Sequence, residues 1–172
     1  MGIYYTNQTL EAFHLLNQQG FLTGTERFVW EEFRSPYKWM IKQMNKRLNT
    51  NSSFPIWLWT KKPNLDDEGH FAKGTKAVSL TVEVSDNDIL LSDFDAWHAV
   101  LGDWYCALTD EEDDLFEAGK ASITKEESWE RIFDLKAIHG SKLWTIPEHT
   151  IQGVTPVIGK GQIVAIEYFV AK

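Results

Sequence analysis

Val78-Ser79-Leu80-Thr81-Val82-Glu83-Val84 places an apolar residue at every second position. Successive side chains of a strand point to opposite faces, so this period of two predicts a strand with one face in a core. Downstream, Ser85-Asp86-Asn87-Asp88 is turn chemistry and Ile89-Leu90-Leu91 resumes an extended run. Upstream, residues 61–76 are rich in Lys, Pro, Asp and Gly, which predicts a long loop, mobile in the free protein and placed to cover a ligand. Before the loop, Phe54-Pro55-Ile56-Trp57-Leu58-Trp59 alternates again, with Trp57 and Trp59 on one face and Ile56 and Leu58 on the other. Pro55 near its start suits a strand that begins there.

Helices stand on either side of these strands. Residues 3–6 predict a short first strand. Thr9 then caps a helix with Leu10, Phe13 and Leu16 on one side and Gly20 as its stop. Ser35-Pro36 predicts a second helix, capped by the serine, along which Tyr37, Met40, Ile41, Met44 and Leu48 recur at helical spacing. Ser92-Asp93-Phe94-Asp95 opens a short helix closed by Gly102, and Thr124 with Glu127 forms a capping box ahead of Trp129, Ile132 and Phe133. A strand is expected from Trp144 to Gln152, and a last one from Ile163 to Val170 after a turn-rich link through Pro156, Gly159 and Gly161. Strands and helices do not alternate regularly. The expected fold is therefore a single α+β domain over 1–172, a mixed or antiparallel sheet with flanking helices. Its first strand should share that sheet with the two C-terminal ones.

Composition narrows the class. Apolar residues make up 43% of 172, enough for a globular core, and eight Trp with ten Phe predict aromatic-rich core and cleft walls. Cys106, the single cysteine, excludes an internal disulfide and reads as a buried, inert thiol. A net charge of −8 argues against a broad nucleic-acid binder. The charge is uneven, with Lys38, Lys42, Lys46 and Arg47 in one segment and Asp110, Glu111, Glu112, Asp113 and Asp114 in another. The start, Met1-Gly2-Ile3-Tyr4-Tyr5-Thr6, has no basic and apolar signal pattern, and no apolar run approaches the roughly 20 residues of a spanning helix. The chain reads as soluble and cytoplasmic, without membrane association.

Chemistry-bearing patterns are sparse. The sequence has no phosphate loop, dinucleotide glycine fingerprint, nucleophile elbow or metalloprotease histidine pair. His14, His70, His98, His139 and His149 show no metal-ligand spacing, so no metal is expected. In Ser92-Asp93-Phe94-Asp95-Ala96-Trp97-His98 one aspartate serves as an N-cap, and Asp95 is spaced to orient His98 on a helix. A hydrolase using Asp93, Asp95 and His98 is one reading of that segment. Gln43 and Arg47, four residues apart, share a helix side from which the arginine could clamp a phosphate. Trp57 and Trp59 could pack in the core or stack on a base in a cleft.

Three segments carry a family resemblance: Tyr37-Lys38-Trp39-Met40-Ile41-Lys42-Gln43-Met44-Asn45-Lys46-Arg47, Pro55-Ile56-Trp57-Leu58-Trp59, and Leu90-Leu91-Ser92-Asp93-Phe94-Asp95-Ala96-Trp97-His98. Together they resemble a family of small bacterial domains of unknown function. A second resemblance, to the ADP-ribosyltransferase superfamily, rests on Tyr4-Tyr5-Thr6, the helix from Leu10, Gly20-Phe21-Leu22, and Thr150-Ile151-Gln152-Gly153-Val154 followed by Ile163-Val164-Ala165-Ile166. It implies an ADP-ribosyltransferase-like fold that binds NAD and transfers ADP-ribose to a protein or nucleic-acid target, as a toxin or defence effector with a possible cognate antitoxin. Thr6 and Gln8 would then contact the nicotinamide side, Arg47 a phosphate, and the Trp57/Trp59 face an aromatic ring, with Tyr37 and Gln43 also at the cofactor. Such transferases place a catalytic glutamate near the penultimate strand. Here Gln152 stands there, with Glu148 four residues earlier on the same face if the chain is extended. A glutamine can hydrogen-bond a ribose but cannot stabilise an oxocarbenium charge as a carboxylate does. The alternative is a non-catalytic interaction module whose aromatic cleft takes a protein or nucleotide ligand.

Overall fold

A computed structural model describes residues 1–146 and 148–172, with every side chain among them except that of Phe28. The elements are β1 (Gly2–Thr9), α1 (Leu10–Gln19), β2 (Phe21–Thr23), α2 (Arg34–Leu48), β3 (Ile56–Trp59), β4 (Lys76–Val84), β5 (Leu90–Asp93), α3 (Phe94–Leu101), α4 (Asp110–Glu117), α5 (Lys125–Ser128), α6 (Leu135–Gly140), β6 (Ile151–Thr155), β7 (Val157–Gly159) and β8 (Ile163–Val170). Six strands form one sheet in the order β5-β6-β3-β1-β4-β8, every neighbouring pair antiparallel. A small ribbon of β2 and β7 lies apart from it. β1 shares the sheet with β6 and β8, as the element order led one to expect.

The two faces of the sheet carry separate cores, and strand alternation decides which residue joins which. Val78, Leu80, Val82 and Val84 of β4, with Ile56 and Leu58 of β3, pack with Phe13 and Leu16 of α1 and with Leu22 and Ile158 of the ribbon. Trp57 of β3, Leu90 and Val154 belong to the other core, with Met40 and Met44 of α2, Trp97 and Val100 of α3, Ile132 and Ile138. Each fully buried aliphatic chain contributes about 1.5–3 kcal/mol relative to exposure, so the alternation read in β4 stabilises the sheet through Val78, Leu80, Val82 and Val84. Among the described residues, no helix is long and apolar enough to cross a membrane.

Several caps form as read. The Thr9 side chain accepts from the Ala12 amide, Gly20 closes α1 in the left-handed conformation (φ 85°), and Thr124 and Glu127 complete their capping box. The acidic run at 110–114 opens α4 behind the Thr109 cap, where carboxylates meet the positive end of the helix dipole. Two boundaries differ. Ser35 is not the cap of α2: the helix starts at Arg34, directly after a 3₁₀ turn at Glu31–Phe33, so the chain enters it already coiled. Pro36 still falls in the first turn, where its missing N–H costs nothing. The strand expected from Trp144 begins only at Ile151. Thr145 Oγ1 donates to the Lys142 carbonyl (2.9 Å), a local bond that competes with extension, and the Trp144 indole donates to the Ala107 carbonyl (2.8 Å), which docks the segment away from the sheet ladder.

One irregularity of the sheet makes room for a site. β1 pairs with β4 along its whole length, Gly2 opposite Val84 through Thr9 opposite Ala77. With β3 it pairs at Tyr5 opposite Trp59, after which residues 6–9 and the start of β3 diverge.

Candidate functional site: a cleft between diverging strands

The gap between β1 and β3 is a cavity of about 440 Å³, lined by residues of both strands, by Tyr37 of α2, by residues 22–25 and by Gly69, His70 and Phe71 of the long loop. That volume falls within the roughly 300–1,000 Å³ usual for small-molecule sites. Its polar side is β1. Thr6, buried, accepts through Oγ1 from the Gln8 side-chain amide at 2.8 Å. Asn7 Nδ2 lies 3.2 Å from His70 Nδ1, and His70 Nε2 lies 2.8 Å from the Asn64 carbonyl. With Asn7 donating, a neutral His70 accepts at Nδ1 and carries its proton on Nε2. This leaves Asn7 Oδ1 buried without a partner among the described residues, on a residue that lines the cleft.

The other wall is aromatic. Tyr37 and Trp57 meet edge to face with centroids 5.8 Å apart, Trp57 leans on Trp97 at 5.3 Å, and Trp59 meets Phe94 at 5.3 Å. Burial pushes the Tyr37 hydroxyl above its ordinary value, and its contact with the Trp57 indole only partly opposes this, so the phenol stays protonated and neutral. Thr6, Gln8, Tyr37, Trp57 and Trp59, five of the expected ligand contacts, thus come together in one cleft.

Gln43 and Arg47 do not join them. Arg47 Nε donates to Gln43 Oε1 (3.1 Å), Nη2 donates to Glu130 (2.8 Å), and the guanidinium lies 4.5 Å over the Phe133 ring. Their shared helical side packs on the turn Trp129–Phe133, whose Glu130 neutralises the arginine. The phosphate clamp expected from their spacing is an internal ion pair, and among the described residues neither Lys nor Arg lines the cleft.

Glu148 and Gln152 are not on one strand either, because β6 starts after Glu148. Glu148 is exposed and ion-paired with Lys61, whose hydrogen bond and charge hold the carboxyl below the ordinary carboxylate range. Gln152 is 2% exposed and stands opposite Trp59 on β3 and Ser92 on β5. Gln152 Nε2 and Ser92 Oγ are both buried without partners among the described residues, so two unsatisfied polar groups sit next to the aromatic wall.

Asp93 and His98 are also separated in role. Asp93 caps α3 through Oδ1, accepting from the Ala96 amide at 2.8 Å, while its Oδ2 faces His139 Nε2 (3.1 Å) and His149 Nδ1 (3.0 Å). His98 is exposed, with Nδ1 at 3.0 Å from the Phe94 carbonyl and its ring against Phe94. The hydrolase constellation of Asp93, Asp95 and His98 is replaced by a different one, Asp93 with two histidines 46 and 56 residues away. No local spacing could have shown that pairing. Cys106 is buried, and desolvation pushes its thiol up to about 12, which keeps it protonated and unreactive.

The model of a family described as a domain of unknown function, DUF3841, matches residues 3–125. The chain belongs to that family. The matched span holds both walls of the cleft and Asp93, whereas His139, Glu148, His149 and Gln152 lie beyond it. No curated protein and no solved structure matches the chain.

Proposed function

We propose that the cleft binds NAD and that the chain is an ADP-ribosyltransferase-like domain, moving ADP-ribose to a macromolecular target in the manner of a toxin or defence effector. The observation that carries this reading is the divergence of β1 from β3. It opens an aromatic-walled, polar-floored cavity beside Trp59, and the next strand sets Gln152 opposite that residue. Trp57, Trp59 and Tyr37 supply faces for a flat heteroaromatic ring, and Thr6, Asn7 and Gln8 supply groups for its carboxamide. In the transfer the ribose–nicotinamide C–N bond breaks, nicotinamide leaves with the electron pair, and the acceptor adds to the ribose carbon and gives up a proton. Gln152, buried beside the cleft and not part of its lining, would hydrogen-bond a ribose hydroxyl once the ligand opens a way to it. The developing positive charge falls to Glu148, which must exchange Lys61 for the substrate.

A second reading, a non-catalytic module using the same cleft for a nucleotide or protein ligand, is favoured by the ion pairs that occupy both Glu148 and Arg47. Nicotinamide release in the presence of candidate acceptors separates the two. Transfer predicts release by the wild type and a clear reduction in Glu148→Gln, whose amide cannot stabilise the developing positive charge. Saturable NAD binding without release supports the module. Absence of NAD binding removes the transferase reading and leaves the module with a different ligand.

A further inference from the structure

We propose that Asp93, His139 and His149 form a binding site for one divalent first-row transition-metal ion, separate from the cleft. The three come from different parts of the fold: Asp93 from the junction of β5 and α3, His139 from the end of α6, and His149 from the segment leading into β6. Their ligand atoms, one from each, all lie within 4.8 Å of one another. The imidazole nitrogens stand 3.0 and 3.1 Å from the same carboxylate oxygen. Two ligands about 2.1 Å from an ion stand about 3.0 Å apart at the right angle of six-coordination and about 3.4 Å apart in a tetrahedral zinc site, so these spacings need open by only a few tenths of an ångström to take either. The donor set is two imidazoles and one carboxylate, a combination that suits zinc, iron or cobalt and leaves further positions open to water.

The surroundings favour a cation. Asp93 is wholly buried, and its second oxygen is already fixed by the Ala96 amide, so the ligand oxygen is held in place by the fold. The two imidazoles both aim at that one oxygen; they stack with centroids 3.8 Å apart, so each ring must tilt to bring its in-plane lone pair onto a shared ion. Without metal, each ring places its proton on the nitrogen facing Asp93. With metal, each neutral ring moves that proton to its other nitrogen, and the freed lone pair becomes the ligand. The site is reached from solvent past His139, whose side chain is 32% exposed, while His149 is 19% exposed. Cys106, protonated and buried, bonds through its backbone elsewhere and adds no thiolate to the set. A bound ion would tie α6 and the segment before β6 to the edge of the sheet.

The test uses the full chain, stripped with a chelator and titrated with Zn²⁺ in competition with a chromophoric chelator. One equivalent is expected, with affinity lowered at least 10–100-fold in His149→Gln and in His139→Gln, since losing a ligand costs no less than losing a ligand's hydrogen-bond partner. Zn²⁺ should also raise the melting temperature of wild type but not of the double variant. Imidazole ¹⁵N spectra of the wild type give a readout that survives if the variants do not fold. Zinc-induced shifts at both ring nitrogens of His139 and of His149, and at no other histidine, support the site. No binding, shifts at His14, His70 or His98 instead, or affinity unchanged in the double variant overturns it.

Discussion

Gln152→Glu keeps the shape of a side chain and changes only whether it can be charged. Gln152 is 2% exposed, and among the described residues its amide nitrogen meets no acceptor, so the new carboxyl gives up its hydration without gaining a cation. Burial of this kind raises a carboxyl by up to 3–5 units, and about 2 units is the figure adopted for a group near the end of a strand rather than at the centre of a core. At 1.36 kcal/mol per unit this is about 2.7 kcal/mol against the folded state wherever the group is ionised. The folded value lies above the unfolded one near 4.3, so the variant matches wild type below about pH 4 and loses stability as pH rises through about 6. A domain of this size shifts by about 2–4 °C per kcal/mol, which gives a melting temperature about 5–11 °C below wild type at pH 8. Scanning calorimetry of both proteins from pH 4 to pH 8 measures the gap. Under the transferase reading saturating NAD narrows it at high pH, because the carboxylate gains a ribose hydroxyl, and NAD hydrolysis rises. A gap that stays constant across the pH range would refute the desolvated placement of this side chain.

Three further outcomes follow from other contacts. Burial pushes the Glu112 carboxyl up, but the Leu108 amide (2.9 Å) and Arg131 (2.7 and 3.2 Å) outweigh it and hold the group below its ordinary value. Glu112→Ala should therefore cost about 2 kcal/mol at pH 7 after allowance for partial exposure, a loss that fades as pH falls below about 4.5 in a pH series of denaturant melts. Gly24→Ala places a Cβ 2.2 Å from the Pro55 carbonyl oxygen, a backbone clash between two parts of the cleft wall. It should cost about 1–3 kcal/mol in denaturant melts and weaken any cleft ligand, whereas unchanged melts would show that this wall yields freely. Limited proteolysis should cut first within residues 61–76 and more slowly with ligand present, since His70 and Phe71 line the cavity. First cleavage elsewhere removes the covering role of that loop.

Legibility in the sequence followed the range of the interactions. β4, the Thr9 and Gly20 ends of α1, and the Thr124–Glu127 box rest on residues within a few positions of each other, and each was visible. The shared face of Trp57 and Trp59 is legible because alternation in β3 assigns them to one side whatever packs there. The helical side of Gln43 and Arg47 was readable, but its partner Glu130 lies 83 residues beyond Arg47. The β2–β7 ribbon pairs two three-residue strands from opposite ends of the chain, too short for any period to show. The convergence of His139 and His149 on Asp93 likewise arises only when α6 and β6 are brought to the same edge of the sheet.

Backbone amide shifts recorded while NAD is added to the full chain locate the ligand without requiring turnover. The cleft predicts saturable shifts at Thr6, Asn7 and Gln8 of β1, at Thr23, Gly24 and Thr25, and at Gly69, His70 and Phe71 of the loop, together with the indole signals of Trp57 and Trp59. Residues around the Arg47–Glu130 ion pair should stay still. Shifts concentrated at that ion pair, or a spectrum unchanged at millimolar NAD, would contradict the assignment of the β1–β3 cleft as an NAD site.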